Sequence, residues 1–210
     1  MTKIIKRLII KTLGLKNYLR FLQRTYFLLY STGVLKYNSS YEYHYFVKHL
    51  IDEGDVIIDI GANLGYFSFL FAKWAGKSGR IYAFEPVAVY NEVIKERVNR
   101  YNNIQIYPSE TQIKTLSALF GNFDRINYLK CSIEGYEYTI LSDMKEIIRK
   151  CKPIVQVGVS PDNEEKILEL FDELGYTPYK LYKYQLVPQS EDYVTLPGDY
   201  IFIVDSNPEQ

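Results

Sequence analysis

Asp55 to Gly65 reads DVIIDIGANLG, and Ala83 to Pro86, one strand–helix–strand unit later, reads AFEP. Val56 to Ile60 is a short, nearly continuous apolar run, the mark of a strand buried on both faces. It carries Asp59 and ends in a turn holding Gly61, Asn63 and Gly65. Tyr66 to Ala75 has the apolar density of a helix packed on a sheet, and Gly76-Lys77-Ser78-Gly79 stops it. Arg80 to Phe84 is then a second buried strand, ending on Glu85.

This pattern predicts half of a nucleotide-binding α/β fold. A glycine turn between strand and helix lets the backbone approach a ligand closely, because no Cβ intervenes. An acid at the end of the second strand can accept hydrogen bonds from both hydroxyls of a ribose. Dinucleotide-binding turns run G-x-G-x-x-G, so that a pyrophosphate rests on the helix N-terminus. Here Asn63 stands where the second of those glycines would be. The turn therefore suits a ribose-bearing ligand without a pyrophosphate, for which S-adenosyl-L-methionine is the obvious candidate, and it disfavours a nicotinamide oxidoreductase. The candidate cofactor-binding residues are Asp59, Gly61, Ala62, Asn63, Gly65 and Glu85. The plain alternative is any doubly wound fold with a glycine at a strand end.

VIIDIGANLGYFS, AFEP, and Leu129-Lys130 leading into Ile133-Glu134-Gly135-Tyr136-Glu137 together resemble the FkbM-type S-adenosylmethionine-dependent methyltransferases. The first two motifs mark the broad methyltransferase class, and the I-E-G-Y-E stretch points to this family. The resemblance covers roughly residues 41–205. It implies an α/β fold: a doubly wound, mostly parallel, seven-stranded Rossmann-like sheet with an antiparallel last strand. An N-terminal helical arm (1–40) and a short tail (206–210) flank that domain. It also implies methyl transfer to a hydroxyl of a sugar, glycan or polyketide-like acceptor, with bacterial surface-glycan modification the natural setting.

Composition limits the partners. The formal net charge of zero hides a division: residues 1–41 hold eight basic residues and no acid, leaving 17 basic and all 25 acidic residues for the remainder, a balance of −8. Most of the surface would repel nucleic acid. Cys131 and Cys151 have neither metal spacing nor a disulfide framework, which suggests reduced, structural thiols in a cytoplasmic protein. His44 and His49 are too isolated to ligate a metal, although the helix over residues 41–50 would pass near the glycine turn. The 21 tyrosines are explained either by a sugar-stacking cleft or by a general residue bias.

In the first forty residues, apolar positions recur at helical spacing between Lys and Arg, and Gly14 divides them into two helices. The longest apolar run there, Phe27 to Tyr30, is far too short to span a bilayer, and no signal-peptide pattern is present. A basic amphipathic arm fits two roles. One is peripheral contact with an anionic membrane at its inner face; the other is a cap on the catalytic domain or on a second subunit.

Further along, Val87 to Tyr101 reads as a helix and Ile104 to Tyr107 as a third strand. In the methyltransferase fold the next loop borders the adenine, which makes Ser109 and Glu110 candidates for that contact. A short helix near 115–120 precedes a fourth strand, Ile126 to Cys131, and a helix is expected from about Glu137 to Lys150. Pro153 to Val159 is a fifth strand and Asn163 to Leu174 an amphipathic helix. Tyr176 to Leu181 and Tyr200 to Val204 are two closing strands around a polar loop.

Glu134 and Glu137 follow the carboxyl end of the fourth strand, where ligands of open α/β sheets gather. They are the candidate catalytic residues, to take or orient the acceptor's hydroxyl proton. The competing explanation is that acids in a first helical turn merely favour the helix dipole. Against the family pattern, four usually acidic places carry Ser117, Asn127, Ser132 and Gly158. An alternative reading follows: a degenerate homologue serving as a cofactor-binding or interaction module.

Overall fold

The computed structural model describes residues 3–107, 116–189 and 198–204. Helices α1 (Lys3–Leu13) and α2 (Leu15–Ser31) are separated by Gly14, whose φ of 78° costs glycine little. Two 3-10 turns lead to α3 (Glu42–Phe46), and a third leads on to β1 (Val56–Ile60). The chain continues through α4 (Tyr66–Trp74), β2 (Arg80–Phe84), α5 (Ala88–Val98) and β3 (Ile104–Ile106). Then come α6 (Leu116–Phe120), β4 (Tyr128–Cys131), α7 (Glu137–Asp143), α8 (Lys145–Cys151) and β5 (Ile154–Val157). Helix α9 (Glu164–Glu173) precedes β6 (Tyr176–Tyr182), β7 (Gln185–Pro188) and β8 (Tyr200–Val204). The single helix expected from Glu137 to Lys150 is two, because the fully buried Met144 takes a backbone conformation (φ −90°, ψ 5°) that bends the chain between α7 and α8.

One sheet holds all eight strands, in the order β3-β2-β1-β4-β5-β8-β6-β7. β1 to β5 pair in parallel, and β8 inserts antiparallel between β5 and β6. The antiparallel last strand is as the family resemblance implies. The strand number is eight rather than seven, because Gln185 to Pro188 pairs with β6 instead of remaining in a loop. Lys183 and Tyr184 make the two-residue turn between them, with φ of 49° and 61°. That turn conformation ordinarily announces itself with Asn or Gly, so this hairpin carries no signal in its residues.

Strand order reverses at β1, with β2 and β3 on one side and β4 on the other. The carboxyl ends of β1 and β4 therefore open onto the crevice that doubly wound sheets use for ligands. Both faces of β1 are buried, as its nearly continuous apolar run predicts. Ile57 packs with Phe67, Phe71 and Tyr128 on the α4 side. Ile58 and Ile60 belong to the core on the opposite side, which extends through Leu141 and Ile148 to Phe171. Each such large side chain contributes about 1.5–3 kcal/mol by leaving water. Asp59 shares its face with Ile57, which aims a carboxylate at α4 from the middle of the sheet.

Helix α2 lies on the domain. Its Tyr18 and Leu19 pack with Leu64 and Val93, and the Gln23 amide donates to the Leu64 carbonyl at 2.8 Å. Lys16 pairs with Glu92 (2.6 Å) and Glu96 (3.1 Å), and Arg20 also binds Glu96. Two of the arm's cations are thus bound to acids of α5. Other arm side chains face outward, with Leu8, Phe21 and Leu28 each more than half exposed. Among the described residues no helix is long and apolar enough to cross a membrane.

Candidate functional site

At the carboxyl end of β1 the glycine turn abuts the backbone that follows β4 at Ser132. The N–H groups of Gly61 and Ala62 both donate to the Phe84 carbonyl at 2.9 and 3.0 Å, pinning the turn to the end of β2. Gly61 has φ 82°, and a Cβ there would overlap the Ser132 carbonyl oxygen, so only glycine allows the two strand ends to approach. Asn63 sits at φ 53°, a left-handed conformation that asparagine tolerates better than most residues. Gly65, also left-handed, caps the start of α4, and a Cβ on it would meet the Phe69 ring at 2.6 Å.

The turn grips the acid that the sequence singles out. The Asn63 N–H donates to Glu85 Oε2 at 2.6 Å, and the Val87 N–H donates to Oε1 at 2.8 Å. Glu85 is buried, 4% exposed. Burial raises its pKa, and the two backbone donors oppose that shift. Each carboxylate oxygen keeps further lone pairs for a ligand.

Two cavities meet at this turn. The smaller, about 640 Å³, is lined by Glu85, Pro86, Val87 and Tyr90 and extends to Glu134, Glu137 and Gly158. The larger, about 860 Å³, runs from the turn past His44, Tyr43, Phe67 and Lys130 to Tyr182, Tyr184 and Asp199. Gly61, Asn63 and Ser132 line both. A ligand reaching from one to the other must pass these three residues.

Of the residues expected to bind a cofactor, Gly61, Asn63 and Glu85 line the smaller cavity, and Ala62 lines the larger together with Gly61 and Asn63. Asp59 and Gly65 line neither. Asp59 is fully buried, accepting from the Ser68 hydroxyl at 2.5 Å, with its Oδ1 3.6 Å from the Lys130 ammonium. Ser109 and Glu110, expected beside the adenine, lie outside the described residues.

The two expected catalytic acids differ in setting. Glu134 is exposed on the wall of the smaller cavity. Glu137 is 1% exposed, and its Oε2 accepts from Ser160 (3.2 Å) and the Asn163 amide (3.0 Å). It braces the start of α7 against the turn that follows β5. Among the described residues no group of His, Cys, Asp or Glu could hold a metal ion.

Further residues line the larger cavity, among them His44, whose helix was expected to pass near the glycine turn. Lys130 stands beside Asp59 on the neighbouring strand, its ammonium 5.3 Å from the Phe67 ring centre. His44 Nδ1 is 2.6 Å from the Tyr26 hydroxyl, and its ring packs edge-on against Phe67. Burial, with Lys130 as the lesser cause, lowers the His44 pKa to about 3, so its imidazole is neutral at physiological pH. Asp199 precedes β8, and its Oδ2 accepts from the Gln156 amide at 2.6 Å. The Tyr128 hydroxyl donates to the other end of Gln156 at 2.9 Å. Only spatial proximity reveals Asp199 as a site residue, because 43 positions separate it from Gln156 in sequence.

Of the four places where the family pattern expects acids, Asn127 has a structural task. Its Oδ1 accepts from the Val56 N–H at 3.0 Å, tying the start of β1 to the residue before β4. Ser117, in α6, lines neither cavity. Ser132 and Gly158 are neighbours on the cavity walls.

The wall formed after β3, β4 and β5 is also where comparison with known proteins places the kinship. Residues 105–178 match the family model of the methyltransferase FkbM domain. The FkbM match runs from β3 into β6 and includes I-E-G-Y-E, so the family resemblance read from that stretch is shown over this segment. Among curated proteins, the ribosomal protein L11 methyltransferase of Bacillus cereus strain ATCC 10987 is 27% identical over 133 residues, 62% of this chain and 40% of that protein. The counterpart from Bacillus cytotoxicus is 25% identical over the same shares. The chain thus spans about 40% of the length of the curated relatives it matches.

Solved structures agree on the fold. The precorrin-6y C5,15-methyltransferase of Geobacter metallireducens superposes with a TM-score of 0.55 at 16% identity, covering 77% of this chain and 85% of that one. The fibrillarin of Aeropyrum pernix, solved with natively bound S-adenosyl-L-methionine, gives 0.53 at 16% identity, covering 73% and 67%. The sheet outside the matched segment therefore also shares the Rossmann-like fold of these structures.

Proposed function

We propose that this chain is an S-adenosyl-L-methionine-dependent methyltransferase that methylates a hydroxyl oxygen on a sugar, glycan or polyketide-like acceptor. The observation that carries the reading is Glu85, buried at the end of β2 and held by the Asn63 N–H of the glycine turn. The residues suit the donor: Gly61 clears the space a Cβ would fill, and Glu85 has acceptor capacity for two ribose hydroxyls. When bound, the donor supplies an electrophilic methyl on a positively charged sulfur that leaves readily.

The chain's own task is then alignment and the exclusion of water. Glu85 and the turn fix the adenosyl end in the smaller cavity. The junction at Gly61, Asn63 and Ser132 leads toward the larger cavity, where an acceptor has room beside Tyr182 and Tyr184. Holding both reactants in line is worth roughly 7–11 kcal/mol of barrier. A carboxylate that takes the hydroxyl proton adds about 10²–10⁴ in rate; Glu134 and Glu137, on the donor's side of the junction, are the two acids at which the sequence reading placed that step.

The test is transfer of a labelled methyl from S-adenosyl-L-methionine to a panel of mono- and oligosaccharides, with the product's methyl ether located by mass spectrometry. An O-methylated sugar supports the proposal. Label appearing only on a protein or a nucleic acid would overturn the acceptor class while leaving the donor.

A further inference from the structure

Gly158 stands at the carboxyl end of β5 where the family pattern places an acid, and the structure shows what occupies that space. A Cβ built on Gly158 would lie 3.3 Å from Asp199 Oδ1 and 3.0 Å from Ser132 Oγ. The absence of a side chain at Gly158 leaves room for a carboxylate that arrives from β8 instead of β5. We propose that Asp199 is the catalytic carboxylate that accepts the acceptor's hydroxyl proton. This rests on the methyltransferase reading above.

Three features fit Asp199 for that role. It lines the larger cavity together with Ser132, one of the three residues shared with the donor's cavity. Its orientation is set from behind: Tyr128 and Gln156, both fully buried, form a relay of hydrogen bonds that ends on Oδ2. Its backbone is held as well, because the Tyr43 hydroxyl donates to its carbonyl and Lys180 donates to the Gly198 carbonyl at 2.8 Å. Glu137, by contrast, has its Oε2 engaged by Ser160 and Asn163 and lines only the donor's cavity.

In the step, a lone pair of the acceptor oxygen forms the new C–O bond as the C–S bond of the donor breaks. The bonding pair returns to sulfur, leaving a neutral thioether. The hydroxyl proton passes to Asp199 and from there to water, so atoms and charge balance without any further reactant.

The experiment needs no acceptor. Sinefungin carries C–NH3+ where the donor carries S–CH3, so its ammonium occupies the place of the reacting methyl, whereas S-adenosylhomocysteine has nothing there. Both are titrated by calorimetry into the wild type, Asp199→Asn, and Asp199→Asn combined with Gly158→Asp. Asparagine keeps an oxygen to accept from Gln156, so the local hydrogen bond survives the change. Asp199→Asn should lower the preference for sinefungin over S-adenosylhomocysteine by about tenfold, the scale of one partly screened charge pair, with S-adenosylhomocysteine affinity unchanged. Gly158→Asp, which returns a carboxylate to the same space, should restore the preference. A preference unchanged by Asp199→Asn overturns the proposal, as does loss of affinity for both compounds together. Failure of the wild type to bind S-adenosylhomocysteine would remove the donor site itself, and this inference with it.

Discussion

Asp59 on β1 and Lys130 on β4 face each other across one strand pairing, carboxylate Oδ1 to ammonium 3.6 Å apart, with their side chains 0% and 7% exposed. Asp59 Oδ1 makes no hydrogen bond among the described residues, so this pair is held by charge at slightly more than hydrogen-bond distance. A buried pair of this kind stabilises little relative to apolar residues, but either member alone is costly. Lys130→Met should therefore destabilise the fold by about 3–5 kcal/mol, because it strands the Asp59 carboxylate. Adding Asp59→Leu to that variant should recover most of the loss. Urea unfolding of the wild type, the single and the double variant measures this, and a neutral single variant would show the pair is not coupled.

His44 makes stability depend on acid. Its pKa is lowered from 6.5 to about 3 in the fold, so between those values the unfolded chain binds the extra proton. Stability from this residue is complete above pH 6.5 and falls as pH drops toward 3, by up to about 1.4 kcal/mol per pH unit. His44→Gln should flatten that slope in denaturant titrations run across pH 4 to 7. An equally steep slope in the variant would assign the acid sensitivity to other groups.

Helix α2 offers two kinds of contact of very different value. Leu19, buried against Leu64 and Val93, should cost about 2–5 kcal/mol when truncated to alanine. Glu96→Gln, which weakens the exposed pairs to Lys16 and Arg20, should cost less than about 1 kcal/mol. Thermal unfolding of the two variants compares them directly. The reverse order would mean that charge, rather than packing, seats the arm.

Gly61→Ala combines a left-handed backbone with a collision against the Ser132 carbonyl. The strained backbone and overpacking together should cost about 2–4 kcal/mol. They should also push β4 away from β1 and abolish binding of S-adenosylhomocysteine. Retained binding at full stability would show that the strand ends have slack.

Most of the parallel half of the sheet was legible, because β1, β4 and β5 are almost wholly buried and their residues are mostly apolar, with one polar or charged residue in each. The Glu85 site was legible for the same kind of reason: an acid at a strand end and a glycine turn at fixed spacing are local signals. What could not be read is what assembles from distant parts. β7 depends on a turn built from Lys183 and Tyr184, which ordinarily avoid positive φ. Asp199 reaches the cleft only because β8 inserts between β5 and β6. Lys130 joins the same cavity as His44, and only the approach of the helix carrying His44 to the glycine turn was legible beforehand. The bend at Met144 has no glycine or proline to mark it.

On the proposed reading, the turn at Gly61–Asn63 and the Glu85 carboxylate together should hold the adenosyl part of a methyl donor. Calorimetric titration of S-adenosylhomocysteine into the wild type and Glu85→Ala tests it most directly. The wild type should bind, and the variant should lose about 1.5–3 kcal/mol for each ribose hydrogen bond to the charged group. An affinity that Glu85→Ala leaves unchanged would contradict the account.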